Sequence, residues 1–469
     1  MTGELDLDRY DEATRRMIAA MTAAEDQMLR EARKAGNSYL TDVTRRHILR
    51  GSVAVAGSAA ALSLGSPKAR AARELEDVPP GSANWPIPDD PTKELARPTG
   101  EDGGYGMRSP FESEVRWRFP TPTKLFSLTL TPLDHGLGTI TPSGLHYEVH
   151  HGGTPFIDPA MFELIVHGMV ERPTKYTIGD LKRFPSVSGC HFLECAGNTF
   201  TEWREPKMKT VQGTHGLTSN SEWTGVPLST ILAEVGVKEG AKWMLAEGSD
   251  QAVMTRSIPI EKCWQDALLA YGQNGEALRP EQGYPLRLFL PGWEGNTNIK
   301  WLRRLEFSDA PFMTREETSK YTDLLKGGKA RQFSYVMEAK SVITFPSGEM
   351  QLPGPGGYEI TGLAWSGRGR VRRVEVSTDG GLSWHVAELQ NPVLSLCHTR
   401  FRLWWHWDGK PAILQSRCID ETGYTQPTIR QLVDVRGLKG KFGSFYHNNA
   451  IQSWAINSDG SVKNVRHVG

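Results

Sequence analysis

The last third of the chain alternates apolar and polar residues at period two, and this pattern constrains the fold more than any other feature. Four runs carry it: Tyr358–Trp365, Val371–Ser377, Phe401–Trp407 and Ile413–Asp420. Alternation places successive side chains on opposite faces, so each run predicts a strand with one face in a core. After the second run stands Thr378-Asp379-Gly380-Gly381, which supplies the residues a tight hairpin turn needs. Short strands at this spacing, two of them ending in tryptophan, predict an immunoglobulin-like β-sandwich over residues 330–469. The cluster Trp404-Trp405-His406-Trp407 reads as strand residues filling that core or a dimer seam, rather than a sugar-stacking platform.

Upstream the pattern is mixed. Met161–Met169, Pro285–Leu290 and Trp301–Phe307 predict strands. Thr177–Phe184 predicts a helix with Thr177 as its N-cap, and Val226–Val235 a short amphipathic helix with Pro227 near the first turn. Short strands and helices joined by Gly-rich loops indicate an α+β domain over residues 126–326. Lys326-Gly327-Gly328-Lys329 reads as the linker to the sandwich, and the Pro-, Gly- and Asp-rich stretch 72–125 as an extended arm.

Residues 1–71 read as an address label. Gly51–Leu64 is apolar but too short to span a membrane, which takes about 20 apolar residues. Arg45-Arg46 precedes it and Ala69-Arg70-Ala71 follows, the order of a twin-arginine export signal with its cleavage site. This predicts a periplasmic mature chain without a membrane span. The polar leader before Arg45 suggests a solvated helix of no assigned function.

The full chain has 469 residues, with 54 Lys+Arg against 54 Asp+Glu. Without residues 1–71 the count is 43 against 45. Neither balance provides the basic surplus a general nucleic-acid partner requires. Anion capture must therefore come from a few placed cations. Five cysteines include no CxxC and no CxxCH, so covalent haem attachment is not expected and zinc spacing is absent. Cys195 stands apart from the others. In Leu193-Glu194-Cys195-Ala196-Gly197-Asn198, small residues let a thiolate on a tight loop approach a bulky ligand, and Asn198 can brace the loop.

That segment resembles the molybdenum-ligating loop of the sulfite oxidase family. Ala270–Lys300 resembles the family's pterin-holding stretch, and Ile360–Trp384 its molybdenum-cofactor dimerisation domain. The resemblance runs from about Leu145 to the C-terminus. It implies molybdenum with one molybdopterin, and Cys195 as the protein's thiolate on the metal, a soft ligand suited to it. It also implies phosphate contacts by Arg287 and Lys300, which suit charge-assisted bonding. Asn298, Ile299 and Gln282 would belong to the same clamp, Asp250 would be an acidic cofactor contact, and Tyr147-Glu148-Val149-His150-His151 a covering loop. Adjacent histidines on a strand point to opposite faces, so one of His150 and His151 is expected to line the site. A homodimer through the C-terminal domain is implied too. The haem domain of animal members has no counterpart, since 72–125 is too short and Pro-rich.

Sulfite oxidases ring their small dianion with arginines. Here Thr199-Phe200 follows the cysteine loop, Val149 precedes His150, and the catalytic tyrosine falls near Met254, with Arg256 close by. These departures, with the export signal, make the chain similar to the sulfane dehydrogenase branch of the family. The resemblance then implies oxygen-atom transfer to sulfane sulfur held on a sulfur-carrier protein, with electrons leaving to a c-type cytochrome subunit in a heterotetramer. Alternatives are a periplasmic sulfite dehydrogenase, a methionine-sulfoxide reductase catalytic subunit, or a non-enzymatic secreted binding module. The last makes no use of the cysteine loop.

Overall fold

In the computed structural model, residues 125–438 (except 326) and 447–467 are described, with most of 105–123 and six positions between 19 and 30. Those six leader positions, Ala19 to Arg30, are helical. The twin-arginine motif, the apolar run, the cleavage site and most of the expected arm lie outside the described residues. The chain forms two compact units, Ser52–Ser113 and the remainder. All that follows concerns the remainder.

The alternating runs form the expected strands, at Gly356–Trp365, Val371–Ser377, Thr399–Trp407 and Ala412–Asp420. They lie in two antiparallel sheets. One joins Lys340–Phe345, Gly356–Trp365, Thr399–Trp407 and Glu388–Leu389 in that order. The other joins His385–Val386, Val371–Ser377, Ala412–Asp420, Ser453–Ile456 and Val462–Val465. Val342, Ile360, Val374, Leu414 and Trp454 are among the buried side chains between them. The Asp379-Gly380-Gly381 turn brings His385 opposite Val376, with both glycines at positive φ (74° and 91°). In the tryptophan cluster Trp407 is buried and Trp404 is 57 % exposed. Trp404 packs against Gly357, where a Cβ would come within 2.3 Å of the indole.

The expected linker carries structure of its own. Asp323–Leu324 pairs antiparallel with Ala330–Arg331, so Gly327 and Gly328 (φ 110° and 85°) turn a hairpin rather than span a gap. Two glycines in the left-handed region are turn chemistry as well as linker chemistry.

The upstream half is α+β, built on two larger sheets. One runs Glu276–Ala277, Leu268–Gln273, Thr218–Pro227, Val187–Glu194, with Arg287–Phe289 also paired to Leu268–Gln273. The second runs Thr174–Tyr176, Leu164–Gly168, Leu302–Ser308, Trp243–Gly248, Thr255–Pro259, with one parallel pair. Helix Ile178–Leu181 begins at the expected Thr177 in a capping box with Asp180. Helix Leu228–Val235 follows Pro227 and buries Leu228, Ile231, Leu232 and Val235 against the core. A third sheet, Trp117–Arg118, Ser127–Leu130 and Glu148–His150, lies at the site. The two halves share a core: Leu133, Phe192 and Val211 pack into the sandwich cluster.

Candidate active site

Strand Val187–Glu194 delivers Cys195 to a loop that its own side chains fix. Cys195 donates its main-chain N–H to Leu217 O (3.0 Å), and Asn198 N returns to Cys195 O (2.9 Å). The Asn198 amide donates to Glu194 (2.9 Å) and accepts from Leu217 N (3.2 Å). This is the brace that the sequence suggested. Thr199 adopts a left-handed φ of 68°, and its hydroxyl donates to carbonyls of Asn198 and Asn448.

A second segment closes on the loop. Glu294 forms a parallel bridge with Glu194, and Gly295 faces Cys195. A Cβ at Gly295 would lie 3.0 Å from Glu194 O and Tyr147 OH, and 3.3 Å from Cys195 Cα. Only glycine gives this approach without displacement. Asn298 turns inward: its amide donates to Glu294 O (3.0 Å) and accepts from Leu290 N (2.6 Å).

All eleven sequence-predicted residues line one cavity: Tyr147, Glu148, His150, His151, Cys195, Asp250, Gln282, Arg287, Asn298, Ile299 and Lys300. Arg287 is buried, with its guanidinium donating to Gln282 O (3.0 Å) and Asn298 O (3.2 Å) over the Trp223 ring. Lys300 Nζ donates to the carbonyls of Val149 and Glu281 (3.0 Å each). The Gln282 amide donates to Tyr147 O (2.9 Å), tying the covering loop down. Asp250 accepts from Met254 N (3.2 Å), closing the turn that places Met254 in the wall.

Three expectations are modified. Both His150 and His151 line the cavity, because the strand ends at His150 and face alternation stops there. The Glu148 carboxylate is bound by Arg116 (2.8 Å), Arg118 (3.0 Å) and the Ser127 hydroxyl, so its charge is spent on the neighbouring strand. The Asn298 side chain staples its own turn, leaving its carbonyl for Arg287. Asn296, Tyr321 and Trp301 also line the cavity, and sequence reasoning did not single them out. Asn296 lay within the pterin-like segment. Tyr321 had no signal, since a π-helical turn at Glu316–Lys320 brings it in from 120 residues beyond the loop.

The electrostatics favour an anionic ligand. Burial, reinforced by Arg287, lowers the Lys300 ammonium to about 7. Burial likewise lowers His150 and His151 to about 4, so both rings are neutral near pH 7. Burial raises the Cys195 thiol to about 11, against the Gly197 N–H that favours thiolate. Arg287 Nε and His150 Nδ1 are buried without a hydrogen-bond partner. Orphaned buried donors and an under-compensated lysine are what a phosphate-bearing, hydrogen-bonding ring system would satisfy. A metal cation would stabilise the Cys195 thiolate against its burial. The residues therefore fit a molybdopterin with Cys195 as protein thiolate.

A cation-lined cavity ending in one soft thiol defines a molybdopterin-type oxidoreductase. The comparisons agree. The oxidoreductase molybdopterin binding domain matches residues 151–316, and the Mo-co oxidoreductase dimerisation domain residues 331–454. The crystal structure of the sulfane dehydrogenase SoxCD from Paracoccus pantotrophus is 45 % identical, with a TM-score of 0.76, covering 80 % of this chain and 96 % of that one. Nitrate reductases [NADH] from Solanum lycopersicum and Ulva prolifera are 32 % and 30 % identical over 62 % of this chain. The chain spans 36 % and 38 % of those two proteins. This chain belongs to the sulfite oxidase family of molybdenum-cofactor oxidoreductases, and its cofactor is molybdenum with molybdopterin.

When bound, the cofactor would supply a two-electron redox centre. The chain's residues do the rest. Arg287 and Lys300 would hold the phosphate, and Gln282 ties down the segment at Tyr147. The neutral histidines offer one donor and one acceptor each.

Proposed function

We propose that this chain is the molybdenum subunit of a periplasmic sulfane dehydrogenase, exported by the twin-arginine route. Its substrate is sulfane sulfur carried on a protein thiol. Each oxygen atom added comes from water and releases two protons and two electrons. A c-type cytochrome subunit takes the electrons, and the chain pairs as a homodimer through the sandwich, giving a heterotetramer. The likeness to SoxCD over nearly all of that chain supports this reading.

The observation that carries it is the charge of the cavity wall. Among the described residues that line it, Arg287 and Lys300 are the cations, and carbonyls hold both. The Thr199 hydroxyl is turned to Asn448, and Arg256 is fully buried beside Glu317 (3.4 Å). Met254, Asn296, Trp301 and Tyr321 add no charge. With Arg287 and Lys300 committed to the cofactor's phosphate, a free dianion finds no further cation among the described lining residues to offset its desolvation, whereas a thin, weakly charged sulfur arm does not need one.

The test is cytochrome c reduction by the loaded chain with its cytochrome subunit. Persulfide on a carrier protein should be turned over at least about 100-fold faster than free sulfite, a discrimination of the size a missing charged contact produces. Equal or faster turnover of sulfite would point to the sulfite dehydrogenase instead.

A further inference from the structure

His447 stands behind the thiolate loop, outside the cavity wall. Its main-chain N–H donates to Ala196 O (3.2 Å), the residue after Cys195. Its ring is 1 % exposed and lies between two carboxylates: Nε2 is 3.5 Å from Glu294, and Nδ1 is 3.3 Å from Glu338. The hydrogen bond of Nε2 goes to Ser334 O (3.1 Å), so the ring meets both carboxylates by charge and not by hydrogen bonding, and Nδ1 and Glu338 Oε2 are buried without a hydrogen-bond partner. Arg436 backs Glu338 at 3.2 Å. The residue takes a left-handed φ of 58°, a conformation that a non-glycine residue holds only when its surroundings enforce it.

The neighbouring charges define what the ring must be. Three carboxylates, Glu194, Glu294 and Glu338, are buried at this junction, each with 8 % exposure or less. Lys340 meets Glu194, and Arg436 meets Glu338. Glu294 has the Asn296 amide (2.7 Å), which brings no charge, and the ring of His447. Arg331 also acts on Glu338, so that carboxylate has cations besides the ring, whereas among the described residues the ring is the basic group within ion-pair reach of Glu294, and a neutral ring leaves Glu294 uncompensated. Against the cost of burial, the two carboxylates hold the ring protonated up to about 10.

We propose that His447 is a positioning residue for the metal-binding loop: a buried imidazolium that clamps Cys195 from two sides. Its main chain holds Ala196, and its ring holds Glu294, whose neighbour Gly295 rests on Cys195. The clamp belongs to the C-terminal half and reaches the cofactor loop from outside. It rests on the assignment of Cys195 as the metal's thiolate, but not on the class of substrate.

The test uses the full chain in two states. Purified from molybdate-replete cells, it is assayed for molybdenum per chain and for the rate of cofactor release. Purified from molybdate-starved cells, it is labelled with a maleimide, and Cys195 is quantified by peptide mapping. His447→Gln should raise the Cys195 labelling rate and the cofactor release rate by about tenfold each, as expected when a buried charge loses its partner. The double variant Glu294→Gln/His447→Gln should recover most of that change, because paired groups are not additive. Unchanged labelling in folded His447→Gln, or additive effects in the double variant, would overturn the proposal. If His447→Gln does not fold, Glu294→Gln carries the test against Glu338→Gln. Labelling must rise more in the first, which severs the ring from the Cys195 turn, and equal labelling in the two would reject the clamp. Substrate turnover enters none of these readouts, so their failure is distinct from failure of the sulfane assignment.

Discussion

The Glu194 carboxylate lies 2.5 Å from the Lys340 ammonium, and both side chains are withdrawn from solvent. The pair joins the residue before Cys195 to the first strand of the sandwich. Glu194 also accepts from the Asn198 amide (2.9 Å) and the Trp365 indole (2.7 Å), so its oxygens are fully engaged. Lys340→Met should leave a buried carboxylate without its counter-charge and cost about 3–5 kcal/mol. Glu194→Gln/Lys340→Met should recover only part of that loss: it removes the unpaired charge, but the amide keeps one acceptor oxygen for either Asn198 or Trp365 and turns its NH2 toward the other donor. Urea unfolding of the four proteins in the cycle measures it.

Gly295→Ala tests the close approach at the cavity. The added methyl meets Glu194 O, Tyr147 OH and Cys195 Cα at 3.0–3.3 Å, and two of these belong to backbone. Overpacking of this kind costs about 1–3 kcal/mol. The expected outcome is a full-length, folded chain with reduced molybdenum content, read by elemental analysis beside far-UV circular dichroism.

Cys195→Ser exchanges a soft donor for a hard, weakly acidic one. Turnover should fall below about 1 % of the unaltered chain, with a changed molybdenum spectrum. An active variant with an unaltered spectrum would remove Cys195 from the metal.

Lys300 gives a pH signature. In the cofactor-free chain its pKa is about 7, below the ordinary 10.5. Between those values the unfolded chain keeps a proton that the folded chain gives up, so stability rises with pH across that window. Below pH 7 both forms are protonated, and the destabilisation is constant. The difference in unfolding free energy between this chain and Lys300→Met should therefore shift in favour of the natural residue from pH 7 to 10. Loading the cofactor places an anion within reach, restores the ammonium and should flatten that slope.

The sandwich was the most legible part of the sequence because a strand with one buried face must alternate, as Thr399–Trp407 does. The cavity was legible because its residues sit in short contiguous segments, such as Gly295–Lys300. What escaped was assembled across the chain. Nothing local to Glu194 points to Lys340, 146 residues away. The same holds for Arg116 at Glu148 and for Tyr321. Gly327-Gly328 was read as a linker and also turns a hairpin, because one dipeptide serves linkers and turns alike. The His150-His151 reading failed because alternation holds only while the strand lasts.

The parallel bridge between Glu194 and Glu294 sets an order of events in making the enzyme. Lys340, Trp365 and His447, which secure those two carboxylates, are all synthesised after the last cavity-lining residue, Tyr321. A nascent chain that has completed every wall of the cavity still lacks the groups that steady its floor. The floor of the metal site is therefore steadied only after residue 447 has been made, which favours loading after that point of synthesis over loading before it.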